Sequence, residues 1–303
     1  MKFLASTESV VVEPPREAPS PLVGHSRKLL DFAREVRDAI DQNAVVLPTL
    51  PDVAMRVNAL VRDDHCDALE IARSIALDPA IAARVVVAAN SAYSQSRAPV
   101  DTLPAAVTRL GMEYTRALVN RLALEQMFCA HSRTLHRVAT DIWLESVRVG
   151  ALCEALTRSR GSTVGTDEAL LAGLLHLVGC LPVIRLADEA PGRFDNEPGI
   201  AALIRALQPE MGYYLLAEWG FPHSISDAAM AAKDPMRSHG GATDVHDVVL
   251  VARKLLRLSF VHEVPQDAVL PAFARLRLEG GVTLADLPEV EADFEGALRR
   301  IFG

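Results

Sequence analysis

The chain has 303 residues and half of them are apolar, which is enough to bury one large core or two modest ones. Its formal charge of −8 argues against broad contact with nucleic-acid phosphates or an anionic membrane surface. Aromatic residues make up 5% of the chain, so a surface that stacks bases is also disfavoured. The composition excludes most nucleic-acid and membrane partners and leaves a small basic pocket as an open alternative.

The cysteines and the apolar runs indicate a protein of the cytoplasm. No apolar segment of a secretion signal follows Lys2. The longest apolar run, 169–184, contains His176 and Pro182 and is too short to span a membrane. The cysteines form no CxxC pair, which is typical of buried thiols in a reducing compartment and not of a zinc site: Cys66, Cys129, Cys153 and Cys180.

Composition divides the chain into a tail and a folded region. Residues 1–24 hold four prolines, mixed charges and little apolar periodicity, which predicts a disordered tail. An apolar stripe at helical spacing predicts a leading helix over 25–42. The pattern beyond is that of consecutive helices, and strict apolar–polar alternation is rare, so we predict an all-α fold.

Proline, glycine and capping residues set the predicted helix bounds. Asp67 suits an N-cap, and Asp78 followed by Pro79 suits the cap and first residue of a helix. Asn90 is expected to end that helix, because asparagine tolerates left-handed backbone geometry. The helices predicted after the leading one are 51–61, 68–76, 78–90, 104–111, 112–128, 135–158, 168–186, 199–219, 225–232, 245–260, 270–278 and 287–301.

Five strings resemble motifs of the HDOD family and occur in that family's order: LPTLP, IALDPAIAARVVVAANSAYS, AAVTRLGMEYTRALV, EALLAGLLHLVGCLPV and EMGYYLLAEWGFP. Each matching residue also has a purely structural explanation as a cap, a turn, a close backbone contact or a core side chain. The matching residues are Asp78, Pro79, Asn90, Ser91, Gly111, Gly173, His176, Gly179, Trp219 and Pro222.

The resemblance implies a multi-helix bundle in which an N-terminal helical subdomain packs on a degenerate HD-type core. It covers roughly residues 45–236. We therefore expect an HDOD-like domain over 43–240, followed by helices over 241–303 that complete or flank the core.

HD phosphohydrolases, which the second half of the chain resembles, hold one or two divalent metals with a histidine, a His-Asp dipeptide and a distant aspartate. A bound metal lowers the pKa of the water that attacks phosphate, so the chemistry depends on these ligands. Only one of the required ligands, His176, survives here, which implies no catalytic residue, no metal and no cofactor. The positions that the resemblance assigns to the former site are Glu145, His176, Leu177, Gln208, Asp234 and Arg253.

Opposite charges at two of these positions suggest a substitute for the metal. Leu177 stands in place of the dipeptide aspartate, and Arg253 stands where the last aspartate is expected. A cation about 4 Å from a metal costs roughly 4 kcal/mol per pair of unit charges at an effective dielectric of 20. We hypothesise that Glu145 and Arg253 pair across the former site near His176. The other interpretation is that both charged side chains point to solvent.

The remaining polar residues are interpreted structurally. His246-Asp247 lies in the first turn of a predicted helix, after Asp244, and is typical of a cap region. His239 is interpreted as a lone loop or helix-end histidine. Four arginines are expected on solvated faces, where they are the best candidates for contact with an anionic ligand or an acidic partner: Arg253, Arg257, Arg275 and Arg277.

The missing ligands and the resemblance predict a non-catalytic bacterial signal-transduction module that acts through protein contacts. The resemblance implies partners such as a histidine kinase, a response regulator or a cyclic-dinucleotide enzyme, and a homo-oligomer is a further expectation. One alternative is a metal-dependent phosphohydrolase with an unusual ligand set of Glu145, His176 and Asp234. Another is a nucleotide or cyclic-dinucleotide sensor that uses Arg253 as its phosphate partner. DNA binding ranks last, because no predicted helix has a basic recognition face.

Overall fold

The regular structure of the chain is helical throughout the part that the structure, a computed structural model, describes. The described residues are 31, 34, 38, 48, 50–63, 66–91, 99–128, 130–160, 162–189, 197–231, 233–256 and 269–302. The all-α prediction is confirmed. The predicted tail and most of the leading helix lie outside the described residues, although Asp31, Arg34 and Asp38 of that helix are helical and exposed.

The described helices form two groups that contact each other. The N-terminal group consists of α1 (Asp52–Leu60), α2 (Ala68–Ile75), α3 (Pro79–Ser91), α4 (Leu103–Leu110) and α5 (Met112–Met127). The C-terminal group consists of α6 (Arg133–Arg160), α7 (Thr166–Leu175), α8 (Cys180–Asp188), α9 (Glu197–Glu218), α10 (His223–Ala228), α11 (Val245–Leu255), α12 (Pro271–Arg275) and α13 (Pro288–Phe302). A 3₁₀ turn at Leu284–Asp286 precedes α13. Helix α5 packs against both α1 and α7, so it joins the two groups.

The predicted caps of the N-terminal helices are confirmed. The Asp67 carboxylate accepts hydrogen bonds from the backbone N–H groups of the next turn, and Asp78 does the same for α3, which begins at Pro79. The prediction that Asn90 ends its helix through left-handed geometry is wrong, because α3 continues to Ser91. The Asn90 amide instead exchanges two hydrogen bonds of 2.9 Å with the backbone of Val100, which fixes the segment that leads into α4.

Three further motif residues lie between helices and have structural roles there. Gly111 has a φ of +83° between α4 and α5, a conformation that favours glycine. The Trp219 indole is half-buried rather than in the core, and its Nε1 donates a 2.9 Å hydrogen bond to the carbonyl of Pro48. Pro222 directly precedes α10. The contact between Trp219 and Pro48 ties the start of the N-terminal group to the end of α9.

The centre of the C-terminal group is α6, a 28-residue helix that packs against α7, α8, α11 and α13. Helices α6 and α7 cross at two glycines. A Cβ added to Gly173 would lie 2.5 Å from the Cα of Gly150, so this backbone approach requires glycine. The close crossing brings the end of α7 against the middle of α6, where the candidate site lies.

The helix predicted over 168–186 is two helices, and this is a correction. A turn at residues 176–179 separates α7 from α8, and the carbonyl of His176 accepts a hydrogen bond from the Gln208 side chain. A Cβ on Gly179 would lie 2.1 Å from the Gln208 carbonyl, so the turn is held by a close backbone approach to α9. By length and composition, Thr166–Asp188 is apolar enough to cross a membrane, contrary to our expectation, but 89% of its most apolar window is buried inside the protein. That burial is typical of a core element.

Residues of the C-terminal elements are buried in the same core cluster. The helix predicted over 270–278 is shorter, because α12 spans only Pro271–Arg275, whereas the helix predicted over 287–301 is confirmed as α13. Val290 and Phe294 of α13 are buried, and this helix packs against both α6 and α3. Residues after 240 therefore contribute to the core and to both helix groups.

Candidate functional site

Five of the six former-site positions lie inside the protein. Glu145 projects from α6, His176 and Leu177 form the turn after α7, Gln208 belongs to α9 and Arg253 to α11. All five side chains are buried. We call Glu145, His176, Gln208 and Arg253 the buried cluster. The sixth position, Asp234, is exposed on a turn beside Lys233, which pairs with Glu210.

The central feature of the buried cluster is an internal ion pair. Nη2 of Arg253 lies 3.9 Å from Oε1 of Glu145, and the two residues are 0% and 5% exposed. The interpretation that both side chains point to solvent is wrong, as is the expectation that Arg253 lies on a solvated face. The 3.9 Å separation is an ion pair and exceeds hydrogen-bond distance.

Burial opposes the charged form of both partners. It raises the pKa of Glu145, while the Arg253 charge pulls that pKa down. It also lowers the pKa of Arg253, and the Glu145 charge acts in the opposite direction. Each charge of the pair therefore favours the ionised form of the other, and Arg148 adds a smaller contribution of the same sign at Glu145. Cys180 begins α8 near this pair, and burial raises the pKa of its thiol well above the usual range.

His176 is held as a neutral imidazole. Its Nδ1 lies 2.6 Å from the Gly173 carbonyl, which can only accept, so Nδ1 carries the proton. Burial, followed by the charge of Arg253, lowers the pKa of His176 to about 3. Its Nε2 has no hydrogen-bond partner among the described residues. Gln208 holds the same residue from the backbone side, with its Nε2 donating to the His176 carbonyl at 2.5 Å.

The residues of the buried cluster do not fit the metal that HD-type enzymes use. A neutral imidazole, one carboxylate and one guanidinium carry no net negative charge to offset a divalent cation. Arg253 would add repulsion of roughly 4 kcal/mol per pair of unit charges at about 4 Å. Leu177 offers no ligand atom, and exposed Asp234 does not join Glu145 and His176 in the buried cluster. The chemistry of these side chains suits packing and helix registration, not activation of water.

A second polar cluster lies where α11 begins, and the sequence interpretation missed it. One ligand atom from each of His239, Asp244 and Asp247 lies within 4.8 Å of the others. The predicted cap is confirmed, since Asp244 and Asp247 form a reciprocal capping box. His239 is not isolated, because its Nε2 lies 3.1 Å from Oδ2 of Asp247.

Two arginines form ion pairs with the carboxylates of this second cluster. Arg275 donates to both oxygens of Asp247, at 2.8 and 2.7 Å, and Arg237 pairs with Asp244. This arrangement corrects the expectation that Arg275 faces solvent, although Arg277 is exposed as predicted and Arg257 lies outside the described residues. The two guanidinium charges balance the charges of the two carboxylates. The cluster therefore holds α12 against α11 and does not offer a vacant cation site.

An open cavity also exists, but it is separate from the buried cluster. Its volume is about 320 Å³ and it lies between α5, α7 and α10, with Arg116, Asp167 and Pro222 among its lining residues. None of the residues of the buried cluster lines it. A ligand in this cavity would not touch His176 or Arg253.

The fold is that of a helical protein of the HD type, and the positions that the resemblance assigns to metal ligands hold residues that do not suit a metal. A sequence profile of the HDOD domain matches residues 47–235, more than half of the chain. The chain belongs to the HDOD domain family, as the five strings predicted.

Solved structures show the same fold. A protein of Shewanella amazonensis SB2B, provisionally named a metal-dependent phosphohydrolase, is 25% identical, with a TM-score of 0.75 over 91% of this chain and 100% of that one. An HDOD domain protein of unknown function from Geobacter sulfurreducens is 23% identical, with a TM-score of 0.61 over 90% and 95% of the two chains. A protein of Marinobacter aquaeolei VT8, provisionally named a signal transduction protein, is 22% identical, with a TM-score of 0.59 over 90% and 64%. No curated protein matches the chain.

Proposed function

We propose that this chain is a non-catalytic signal-transduction module that acts through contacts with other proteins. The observation that carries the proposal is the buried pair of Arg253 with Glu145, two positions that the resemblance assigns to metal ligands. Membership of the HDOD family supports it, and so does the name given to the structural neighbour from Marinobacter aquaeolei. The proposed partners are a histidine kinase, a response regulator or a cyclic-dinucleotide enzyme, in the cytoplasm of a bacterium.

The geometry gives less support to the two alternatives. A phosphohydrolase built on Glu145, His176 and Asp234 would need these side chains to converge, and Asp234 is exposed while the other two are buried. A nucleotide sensor that uses Arg253 would need its guanidinium to reach a phosphate, and Arg253 is fully buried against Glu145.

The decisive experiment measures hydrolysis and metal content on the same sample. Purified full-length chain is incubated with bis(p-nitrophenyl) phosphate and with cyclic di-GMP in Mn²⁺ or Mg²⁺, beside an active HD phosphohydrolase. We expect no turnover above the buffer rate and no stoichiometric metal by elemental analysis. Metal-dependent turnover that His176→Ala abolishes would establish the enzyme instead.

A further inference from the structure

The outward face of α3 is apolar where a solvent-facing helix is usually polar. Ala80, Ala83 and Val87 recur at helical spacing and are exposed, Val87 by 54%. Leu77, in the turn before the helix, is 64% exposed. Arg84 is the one charged residue among the exposed, described positions of this helix. We call these five residues the α3 surface. A helix that is apolar on nearly every side is normally covered.

The charge beside the α3 surface is unbalanced. Nη1 of Arg84 lies 2.8 Å from Oε2 of Glu125, and Nη1 of Arg121 lies 3.7 Å from the same oxygen. The Arg121 side chain is 7% exposed, and its Nε has no hydrogen-bond partner among the described residues. Within the described ranges, neither guanidinium has a second carboxylate within 4.0 Å. Among the residues that the structure describes here, two cations share one anion and leave one net positive charge.

Of the two arginines, Arg121 is the more buried and is affected more by the lack of a second carboxylate. Burial, followed by the charge of Arg84, lowers the pKa of Arg121 to about 10, because a desolvated cation beside another cation is disfavoured. A carboxylate beside Arg84 would offset the repulsion between the two guanidinium groups. The chain is acidic overall, so the local positive surplus beside this apolar helix face is opposite in sign to the net charge of the molecule.

We propose that the α3 surface docks an amphipathic helix of a partner protein, which packs an apolar stripe on Leu77, Ala83 and Val87 and places a carboxylate beside Arg84. The inference rests on the proposed function as a protein-contact module and names the surface and the chemistry of its partner. Helices laid on apolar faces with a charged flank are a recurring mode of recognition. A symmetric contact with a second copy is disfavoured, because it would bring the same positive surplus against itself.

Two synthetic helical peptides provide the test. They share one leucine stripe, and the flanking positions are glutamate in one and lysine in the other. Fluorescence anisotropy with the full-length chain should show the acidic peptide binding about ten-fold more tightly. Arg84→Glu should reverse this preference, and Val87→Asp should weaken both peptides about ten-fold. Both positions are exposed, so the variants should fold, which circular dichroism verifies.

Arg185→Glu is the matched control, since Arg185 is similarly exposed and also pairs with one carboxylate, that of Glu189 on α8. It should leave both affinities unchanged. Equal binding of the two peptides, or a preference unaffected by Arg84→Glu, would overturn the proposal. A concentration-dependent dimer that Val87→Asp abolishes would assign the surface to a second copy and overturn it as well.

The docking proposal would also be overturned if another part of the chain covered the α3 surface. Slow thiol labelling of Val87→Cys in the monomer would show that the α3 surface is already occupied. The peptide preference is also independent of the hydrolysis assay. Phosphodiesterase turnover with the preference intact would overturn the proposed function alone, whereas loss of the preference without turnover would overturn the docking surface alone.

Discussion

At the scale of single residues, the ion pair of Glu145 with Arg253 makes a clear energetic prediction. Arg253→Met leaves the Glu145 carboxylate buried without its cation, so the free energy of unfolding should fall by about 3–5 kcal/mol. The double variant Glu145→Leu/Arg253→Met removes both charges and should recover most of that loss. Urea unfolding of the two single variants and the double variant measures the coupling directly.

An exposed pair provides the control for this cycle. Arg185 and Glu189 lie 3.0 Å apart but are more than half exposed, so Arg185→Met should change the free energy of unfolding by less than about 1 kcal/mol. If Arg253→Met were as mild as Arg185→Met, the buried pair would be irrelevant to folding. The hypothesis that it replaces a metal cross-link would then have no energetic basis.

The buried imidazole predicts a pH dependence with a definite sign. His176 has a pKa of about 3 in the folded chain against 6.5 for a free histidine. Between these values the unfolded chain binds more protons than the folded chain, so stability rises with pH through this window and is lost as pH falls. The full effect is on the order of 5 kcal/mol. Urea unfolding from about pH 7 down to pH 4 should show this slope.

Replacing His176 separates its contribution to the pH dependence of stability from that of Glu145. The raised pKa of Glu145 acts in the opposite direction, since the folded chain holds that proton to higher pH than the unfolded chain. His176→Leu should therefore be destabilised at neutral pH but should lose less additional stability on acidification than the unmodified chain. His136→Gln, at an exposed position, should leave the slope as it was. If the free energy of unfolding of His176→Leu fell with decreasing pH as steeply as that of the unmodified chain, His176 would not be the source of the pH dependence.

The resemblance assigns residues to a former metal site, but the sequence does not show which way their side chains point. Of His176, Glu145 and Arg253, only His176 lies in one of the five family strings, and the other two positions come from the wider resemblance to HD phosphohydrolases. Neither kind of resemblance shows which face of a helix is covered. Glu145 and Arg253 meet because α6 and α11 pack together, and this packing has no signal in the local sequence. The second polar cluster was missed for a similar reason, because Arg275 reaches Asp247 from a different element. Contacts between distant elements leave no local pattern.

At the scale of elements, the crossing of α6 and α7 depends on the absence of a side chain. Gly173→Ala would place a Cβ 2.5 Å from the Gly150 backbone, which cannot move aside as a flexible side chain could. We expect a loss of about 3 kcal/mol, together with a lower melting temperature. Gly240→Ala is the control, since a Cβ there meets nothing within 4 Å. Equal melting temperatures for the two variants would refute the close crossing.

Helix starts were predicted well, and the break between α7 and α8 was not. Asp67 and Asp78 carry their capping information locally, as acceptors for the first N–H groups of the helices that follow. The turn at 176–179 has no proline and continues the apolar pattern, so its sequence resembles that of an uninterrupted helix. Its causes are the Gln208 hydrogen bond and the approach of Gly179 to α9, and both involve residues far along the chain.

At the scale of the whole molecule, the core extends past the region that the family profile matches. The profile ends at residue 235, and Arg253 of the buried cluster lies beyond it. Val290 and Phe294 of α13 are buried, and Arg275 holds α12 against the start of α11. These contacts argue that residues 241–303 complete the core rather than flank an independent domain over 43–240.

A truncation separates these two possibilities. A chain that ends at residue 240 would lose Arg253, leave Glu145 without its cation and expose the faces of α6 that α11 and α13 cover. We expect it to keep helical circular dichroism, bind the dye ANS and lose a cooperative urea transition, as compact states without fixed packing do. A chain of residues 25–303 should retain the cooperative transition, because it removes only the predicted tail. A sharp transition in the chain that ends at 240 would instead establish 43–240 as a domain that folds alone, and the pairing of Glu145 with Arg253 would then be dispensable for the HDOD fold.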